Sequence, residues 1–206
     1  KEIYINVNFL KTLDARQINS GLGEIFKLCV SGGEAAYHAF VARVHNGQVR
    51  ELKDYQELIK LSLGVKKLVI EADEFDQNLR KSLNYGHTFG HALESLTHYM
   101  VPHGQAVVAG MLIVNEFSEQ KGWLNKQANQ QLQSQSWPLL DENCRKALKQ
   151  ADAIQLLGLL KRDKKTFDKT LNLVLLKAVG RLAFYPVSLD EVFLSEIKSI
   201  IKKLFN

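Results

Sequence analysis

The chain has 206 residues, 46% of them hydrophobic, and its 27 Lys and Arg residues against 22 Asp and Glu give a formal net charge of +5. This composition excludes a disordered chain and allows a hydrophobic core without disulfides. The two cysteines form no pair motif. The longest apolar stretch, residues 106–114, is too short to span a bilayer. The N-terminus lacks the apolar region of a signal peptide. We therefore expect a cytoplasmic location and no membrane partner.

The basic residues are spread along the chain, and they are not interleaved with aromatic residues as in proteins that bind single-stranded nucleic acid. We therefore predict no nucleic-acid partner. A basic balance also suits small anionic substrates such as phosphates and carboxylates.

The first third of the chain is predicted to be helical after a short strand. Residues 1–8 alternate and include β-branched side chains, which predicts the strand. Residues 13–31, 33–47 and 49–73 carry apolar side chains at helical spacing, and the Asn46-Gly47 pair is typical of a helix end.

The middle of the chain holds two further helical patterns. Residues 75–100 form a long one that contains the stretch LNYGHTFGH, and residues 103–122 form one that we predict to be buried. Glycine is costly inside a helix, so Gly86 and Gly90 indicate the close approach of another backbone or of a ligand.

The end of the chain combines strand and helix. Residues 170–188 resemble a β-hairpin that turns at Gly180, and residues 188–205 form an amphipathic helix with Ser188 as its predicted cap. The prediction is a mainly α, multi-helix domain over residues 1–206, with a short strand near the N-terminus and a small β-hairpin near the C-terminus.

Four of the six histidines lie between residues 87 and 103. His87 and His91 share a helix face because they are four residues apart, and His103 begins the next helix after a turn. Catalytic zinc sites commonly use three protein ligands. The spacing leaves the third ligand open among Glu24, Glu34, Asp73, Glu74, Asp76 and Glu94. The zincin pattern is absent, and a hydrogen-bonded polar pair is the competing interpretation.

Several separated motifs resemble 3-dehydroquinate synthase, a member of the sugar-phosphate cyclase superfamily. They are SGLGEIFK, VKKLVIEADEFDQNLRKSLNYGHTFGHALE, HGQAVVAGM and LKRDKKT followed by LNLVLLKAVG. These motifs occur in order over nearly the whole chain, so the resemblance is specific to the superfamily.

The resemblance implies a role for individual residues. It implies that Glu24, His87 and His103 bind zinc or cobalt, and that His91 and Asn84 lie at the substrate phosphate. It further implies that Lys27 contacts substrate hydroxyls and that Lys66 and Arg80 bind the substrate carboxylate. One lysine of the Lys164-Lys165 pair is expected to reach the phosphate.

The implied reaction belongs to the shikimate pathway of aromatic amino acid biosynthesis. It converts 3-deoxy-arabino-heptulosonate 7-phosphate to 3-dehydroquinate and phosphate by oxidation, elimination, reduction and aldol cyclisation, with NAD and a divalent metal. Retaining both Lys66 and Arg80 favours this substrate, because relatives acting on glucose 6-phosphate or sedoheptulose 7-phosphate bind no carboxylate. The family usually shows Glu after His-Gly, where this chain has Gln105. If this residue orients His103, Gln can still form the hydrogen bond but carries no charge, so the metal affinity or the rate is expected to differ.

The family's N-terminal NAD-binding domain has no counterpart here, because no glycine-rich phosphate turn follows a predicted strand. We expect this chain to be the C-terminal metal- and substrate-binding domain, inactive alone, with that missing domain as a partner and a homodimer as the assembly. The alternatives are another sugar-phosphate cyclase, a metal-dependent polyol dehydrogenase, or a non-catalytic cyclase-like module.

Overall fold

A computed structural model describes residues 2–75, 79–162 and 170–205. Within these residues the chain forms nine α-helices and one antiparallel β-hairpin. The helices are α1 (Ala15–Gly32), α2 (Glu34–Val41), α3 (Leu52–Ala72), α4 (His87–Leu96), α5 (His103–Gln120), α6 (Lys126–Ser136), α7 (Glu142–Gln150), α8 (Ala153–Arg162) and α9 (Glu191–Phe205). The strands are β1 (Thr170–Ala178) and β2 (Arg181–Ser188). The predicted mainly α fold and the predicted C-terminal hairpin are confirmed.

Helix α5 forms the centre of the fold. Every residue from Gly104 to Ser118 is buried, and α1, α4, α6, α9 and β1 pack around this helix. The predicted burial of residues 103–122 therefore holds for most of the helix. No helix in the described part of the chain combines the length and apolarity needed to cross a bilayer.

Glycines bring α1 and α4 unusually close to α5. A Cβ atom at Gly104 would overlap the backbone carbonyl of Ser20 on α1, and one at Gly110 would overlap the carbonyl of Gly86. A Cβ atom at Gly90 would lie 3.1 Å from the Cα atom of Val107. The predicted close approach at Gly86 and Gly90 is thus an approach of the α5 backbone, and it places α4 directly against the central helix.

The predicted N-terminal strand is wrong. Residues 2–6 have no regular structure, and Val7–Thr12 form a 3₁₀ helix. The Asn6 side chain accepts a hydrogen bond from the Asn8 N–H group, which stabilises a turn instead of an extended chain. In the part of the chain that the structure covers, no other strand pairs with this segment, so its alternating pattern has no ladder to join.

The predicted long helix over residues 75–100 is interrupted. Leu79–Asn84 form a 3₁₀ helix, and α4 begins only at His87. The cause is Gly86, whose φ of 78° lies in the left-handed region and breaks the helical hydrogen bonding. After α4, His98 and Tyr99 also have positive φ angles and form the turn that leads to His103.

The hairpin and the last helix fit the sequence pattern with one correction. Gly180 occupies the turn with a φ of 76°, and its N–H group donates to the Val30 carbonyl of α1 at 2.8 Å. The predicted cap of α9 at Ser188 is wrong, because Asp190 accepts the hydrogen bond from the Phe193 N–H group and the helix begins at Glu191.

Candidate metal and substrate site

One contact between α1 and α5 places Glu24 beside His103. The Ser20 hydroxyl on α1 accepts a hydrogen bond of 2.9 Å from the Gly104 N–H group in the first turn of α5. Glu24 follows Ser20 by four residues and therefore lies on the same face of α1. Its Oε1 atom lies 3.5 Å from the Nε2 atom of His103.

The start of α4 places His87 on the other side of Glu24. The Nε2 atom of His87 lies 3.8 Å from Glu24 Oε1, and its Nδ1 atom lies 3.2 Å from the Tyr85 carbonyl oxygen. Tyr85 is fully buried and donates its hydroxyl proton to the Asn115 side chain at 2.5 Å. A proton on Nδ1 satisfies the Tyr85 carbonyl and leaves the lone pair of Nε2 facing Glu24.

The separations among these three donors suit a divalent metal. Ligand bonds of about 2 Å in a tetrahedral site place neighbouring donor atoms roughly 3.3 Å apart. Glu24 Oε1 is itself buried and has no hydrogen-bond partner among the described residues. A buried carboxylate oxygen without a partner is costly, and a metal ion between it and the two imidazoles would remove that cost.

His91 completes a second, overlapping set of donors. The nitrogen atoms of His87, His91 and His103 that could bind a metal all lie within 4.8 Å of one another. The spacing alone therefore does not separate the Glu24 set from the three-histidine set. The unpartnered Glu24 oxygen favours the Glu24 set, whereas the exposed His91 also lines a neighbouring cavity.

The charges around Glu24 keep it ionised. Burial would raise the pKa of Glu24, but its neighbours, the Lys27 ammonium foremost, more than offset burial and hold that pKa below its usual value. The Lys27 ammonium lies 3.1 Å from Glu24 Oε2 and donates to the Leu83 carbonyl at 3.0 Å. Burial in turn lowers the pKa of Lys27, although the Glu24 charge opposes this effect.

Burial also keeps His87 neutral at neutral pH. Desolvation, followed by the charge of Lys27, lowers the pKa of His87 to about 4. A neutral imidazole is the form that binds a metal, so His87 is ready for this role without losing a proton first.

Glu94 has a role in the site that its sequence position did not reveal. Its Oε2 atom lies 3.1 Å from the Nδ1 atom of His103. Two of the candidate third ligands that the structure covers lie at the histidines. Glu24 lies near the Nε2 atoms of His87 and His103, and Glu94 contacts the Nδ1 atom of His103. Glu34 instead pairs with His38, and Asp73 accepts the Arg80 N–H group.

Gln105 does not orient His103. It is fully buried, its amide nitrogen donates to Asp141 Oδ2 at 2.8 Å, and its amide oxygen accepts from the Asp141 N–H group at 2.9 Å. Gln105 therefore ties α5 to the start of α7. The condition under which Gln105 was expected to change the metal affinity, a contact that orients His103, is therefore not met in this side-chain arrangement.

Two of the predicted substrate residues line a cavity beside the histidines, and the others have different contacts. Asn84 and His91 line one cavity together with His87. Lys66 on α3 is close enough to Lys27 for its charge to lower the pKa of Lys27. The Arg80 guanidinium donates to the Glu74 carbonyl at 3.0 Å. The remaining two predicted residues, Lys164 and Lys165, lie outside the described residues.

Comparisons with known sequences all point to one family. The family described as 3-dehydroquinate synthase C-terminal matches residues 21–166. A 3-dehydroquinate synthase from Endomicrobium trichonymphae is 35% identical over 203 residues, covering 96% of this chain and 54% of that protein. The enzyme of the same name from Streptococcus pneumoniae (strain JJA) is 33% identical over 196 residues, covering 92% of this chain and 53% of that protein. The chain thus spans about half the length of the curated relatives it matches.

Solved structures show the same fold. A 2-deoxy-scyllo-inosose synthase complexed with carbaglucose-6-phosphate, NAD⁺ and Co²⁺ superposes with a TM-score of 0.79 at 20% identity, covering 96% of this chain and 54% of that one. A 2-epi-5-epi-valiolone synthase from Streptomyces hygroscopicus subsp. jinggangensis 5008, with NAD⁺ and Zn²⁺ bound, superposes with a TM-score of 0.75 at 21% identity. The match covers 97% of this chain and 54% of that one.

Proposed function

Because this chain belongs to the family of 3-dehydroquinate synthase C-terminal domains, we propose that it is the metal- and substrate-binding part of a 3-dehydroquinate synthase. The observation that carries the proposal is the Glu24 Oε1 atom. It is buried, lacks a hydrogen-bond partner within the described part of the chain, and lies 3.5 and 3.8 Å from the Nε2 atoms of His103 and His87.

In this proposal Glu24, His87 and His103 hold a divalent metal, zinc or cobalt. When bound, the metal acts as a Lewis acid toward the carbinol and carbonyl oxygens of the substrate. The protein residues set the arrangement around it. Tyr85 and Glu94 each contact the Nδ1 atom of one histidine, so both imidazoles present Nε2 to the same point as Glu24.

The proposed substrate is 3-deoxy-arabino-heptulosonate 7-phosphate, which carries a carboxylate at one end and a phosphate at the other. We assign the carboxylate to Lys66 and Arg80, because a guanidinium can bind a carboxylate through two parallel hydrogen bonds. The contact with the Glu74 carbonyl uses the Nη1 atom of Arg80, and a guanidinium offers five N–H donors in all. We assign the phosphate to Asn84 and His91, with a further contact from Lys164 or Lys165.

Lys27 is proposed to bind substrate hydroxyls between these two ends. It is 4% exposed and already held by Glu24 and the Leu83 carbonyl, so its position is fixed before substrate arrives. Its ammonium offers three donors, and one remains for a hydroxyl oxygen after these two contacts. A preset donor of this kind orients the substrate without reorganisation during the reaction.

The overall reaction yields 3-dehydroquinate and phosphate, and places the whole enzyme in the shikimate pathway. NAD, when bound, accepts and returns the hydride of the oxidation and reduction steps. The relatives are about twice as long as this chain, and we propose that their additional N-terminal part supplies NAD binding. We therefore expect this chain alone to bind metal but to show no turnover, and we propose that the whole enzyme acts as a homodimer.

Metal affinity tests the site directly. We expect Glu24→Ala and His87→Ala each to weaken Zn²⁺ binding by at least about tenfold relative to the unchanged chain, measured by competition with a chromophoric chelator. Glu57→Ala on α3 is the matched control, because that carboxylate pairs with Lys60, and it should leave the affinity unchanged. Equal zinc affinity in the unchanged chain and in both site variants would refute the ligand assignment.

Substrate choice is tested in the complete enzyme. This chain, joined to the N-terminal half of a relative, is assayed for phosphate release from the heptulosonate phosphate and from sedoheptulose 7-phosphate. We expect release only from the former, because Lys66 and Arg80 provide two cations for its carboxylate. Release from sedoheptulose 7-phosphate alone would instead make the chain part of a different sugar-phosphate cyclase.

A further inference from the structure

A cavity of about 310 Å³ adjoins the histidine cluster, and its walls differ in character. One wall consists of apolar residues from α8 and the hairpin, namely Leu160, Leu171, Val174 and Phe184. Most of the polar lining residues come from other elements, the 3₁₀ helix over Leu79–Asn84 and the first turns of α4. Asn172 of β1 adds one polar group to the hairpin side.

The geometry of the 3₁₀ helix explains why Lys81 joins this lining. Such a helix has three residues per turn, so side chains three apart lie directly above one another. Lys81 and Asn84 are three apart in Leu79–Asn84 and both line the cavity. Thr88 and His91 are likewise three apart on α4 and line the same space.

The polar groups around the cavity suit an anion. Lys81, Asn84, Thr88 and Asn172 all carry hydrogen-bond donors, and the lining residues that the structure describes include no Asp or Glu. Among the residues that the structure covers, no ion pair joins Lys81 to a carboxylate. A cation would meet one uncompensated positive charge here, whereas a phosphoryl group would meet a charge and several donors.

The apolar wall strengthens this preference. Leu160, Leu171 and Val174 are at most 6% exposed and Phe184 is 45% exposed, so the apolar residues keep water from part of the cavity. The interaction between an ammonium and an anion is stronger where water is partly excluded. Among the described residues the cavity therefore combines one lysine charge, neutral donors and apolar side chains.

We propose that Lys81 and Asn172, which lie on different elements of this cavity's lining, bind the phosphoryl group of the substrate, with Lys81 determining specificity for a phosphorylated ligand. The proposal deepens the proposed function, because it rests on Asn84 and His91 facing the phosphate. It adds a cation from the 3₁₀ helix and an amide from β1, neither of which belongs to the residues assigned above.

Binding of inorganic phosphate to the metal-free chain tests this proposal. Phosphate is titrated while the side-chain amide signals of Asn84 and Asn172 are followed by NMR, at constant ionic strength. We expect both signals to move, and we expect Lys81→Met to weaken phosphate binding about tenfold, the loss of one ion pair at a partly solvated site. Asn172→Ala should weaken it by a smaller factor.

Two further variants make the result specific. Lys81→Arg keeps the charge and should retain phosphate affinity, whereas Lys198→Met, which removes an exposed lysine of α9, should leave it unchanged. A thermal unfolding curve for each variant confirms that the fold is intact. Phosphate affinity of Lys81→Met equal to that of the unchanged chain, or amide signals that do not move, overturns the proposal.

Zinc affinity separates this proposal from the proposed function. If Lys81→Met binds phosphate normally while Glu24→Ala loses zinc, the role of Lys81 is refuted and the metal site stands. If phosphate binding depends on Lys81 while zinc affinity is indifferent to Glu24 and His87, the anion site stands and the metal ligand assignment is refuted.

Discussion

The Nδ1 atom of His103 lies 3.1 Å from the Oε2 atom of Glu94, whose side chain is 13% exposed. This contact fixes the ring so that its other nitrogen, Nε2, points at Glu24. A carboxylate behind an imidazole raises the basicity of the metal-binding nitrogen and sets its tautomer. Glu94 lies one helix away from His103 along the chain, and the turn over residues 97–102 brings the two side chains back together.

Glu94→Gln should weaken zinc binding without unfolding the chain. The amide can still accept a hydrogen bond from His103, but it carries no charge to raise the basicity of the ring. We expect a loss of about tenfold to 100-fold in zinc affinity, measured by chelator competition. Glu119→Gln on α5 is a control, because that carboxylate binds Asn129 and lies outside the site. An unchanged affinity in Glu94→Gln would contradict a supporting role for Glu94.

A pair of glycines on α1 tests the close helix packing that positions Glu24. A Cβ atom at Gly23 would overlap the Gly104 carbonyl of α5, whereas one at Gly21 would meet no atom within 4 Å. We expect Gly23→Ala to lower the free energy of unfolding by about 2 kcal/mol, because the helices must separate. Gly21→Ala should raise it by up to about 1 kcal/mol, because alanine favours the helix.

Urea unfolding curves measure both changes, and the two variants differ only in position along one helix. Separation of α1 from α5 also moves Glu24 away from His103, so Gly23→Ala should weaken zinc binding while Gly21→Ala should not. Similar unfolding free energies for the two variants would show that the tight approach at Gly23 is not needed for this fold.

Much of the fold can be predicted from the sequence because its signals are local. The apolar spacing of α1, α3 and α5 and the Gly180 turn of the hairpin each depend on a short segment. The wrong predictions arise where a local sequence pattern is compatible with more than one backbone structure. The alternating N-terminal segment lacks a partner strand, and Gly86 ends a helical pattern that residues 75–100 otherwise continue.

The site was less predictable because it depends on contacts between distant segments. The spacing brings His87 and His103 together, but Glu24 lies more than sixty residues upstream on another helix. Its approach depends on the Ser20 contact with Gly104, which no periodicity reveals. For the same reason the sequence did not show that Gln105 faces Asp141, or that Lys81 shares a cavity with Asn172.

The metal-free chain should lose stability in acid partly through His87. Its folded-state pKa of about 4 lies below the ordinary value of 6.5, because the ring is desolvated and lies near Lys27. A group with a depressed folded pKa contributes its full stability above pH 6.5, and this contribution falls as the pH drops toward 4 because the unfolded chain takes up the proton first. The effect is at most on the order of 3 kcal/mol.

Unfolding in urea with a chelator present, at about pH 7.5 and about pH 4.5, measures this contribution. We expect the unchanged chain to lose more unfolding free energy between the two conditions than His87→Gln does, because the variant has no imidazole to protonate. An equal loss in both chains would show that His87 is not held neutral by the fold. The His87 ring is also surrounded by other titratable groups, namely Glu24, Lys27, His91 and His103. The contribution of His87 is therefore taken from the difference between the unchanged chain and His87→Gln, and not from the pH dependence of either chain alone.

Both cysteines should be unreactive in the folded chain. Cys29 and Cys144 are free thiols at most 1% exposed, and burial raises the pKa of each to about 12. The thiolate is the reactive form, so we expect no alkylation by iodoacetamide at about pH 8 and complete alkylation of both in urea, read by mass spectrometry. The raised pKa values also mean that the thiols contribute stability below pH 9, which is lost as the pH rises toward 12. Alkylation of Cys29 in the native chain would require α1 to leave the core, and it would therefore contradict the fixed position of Glu24 on the same helix.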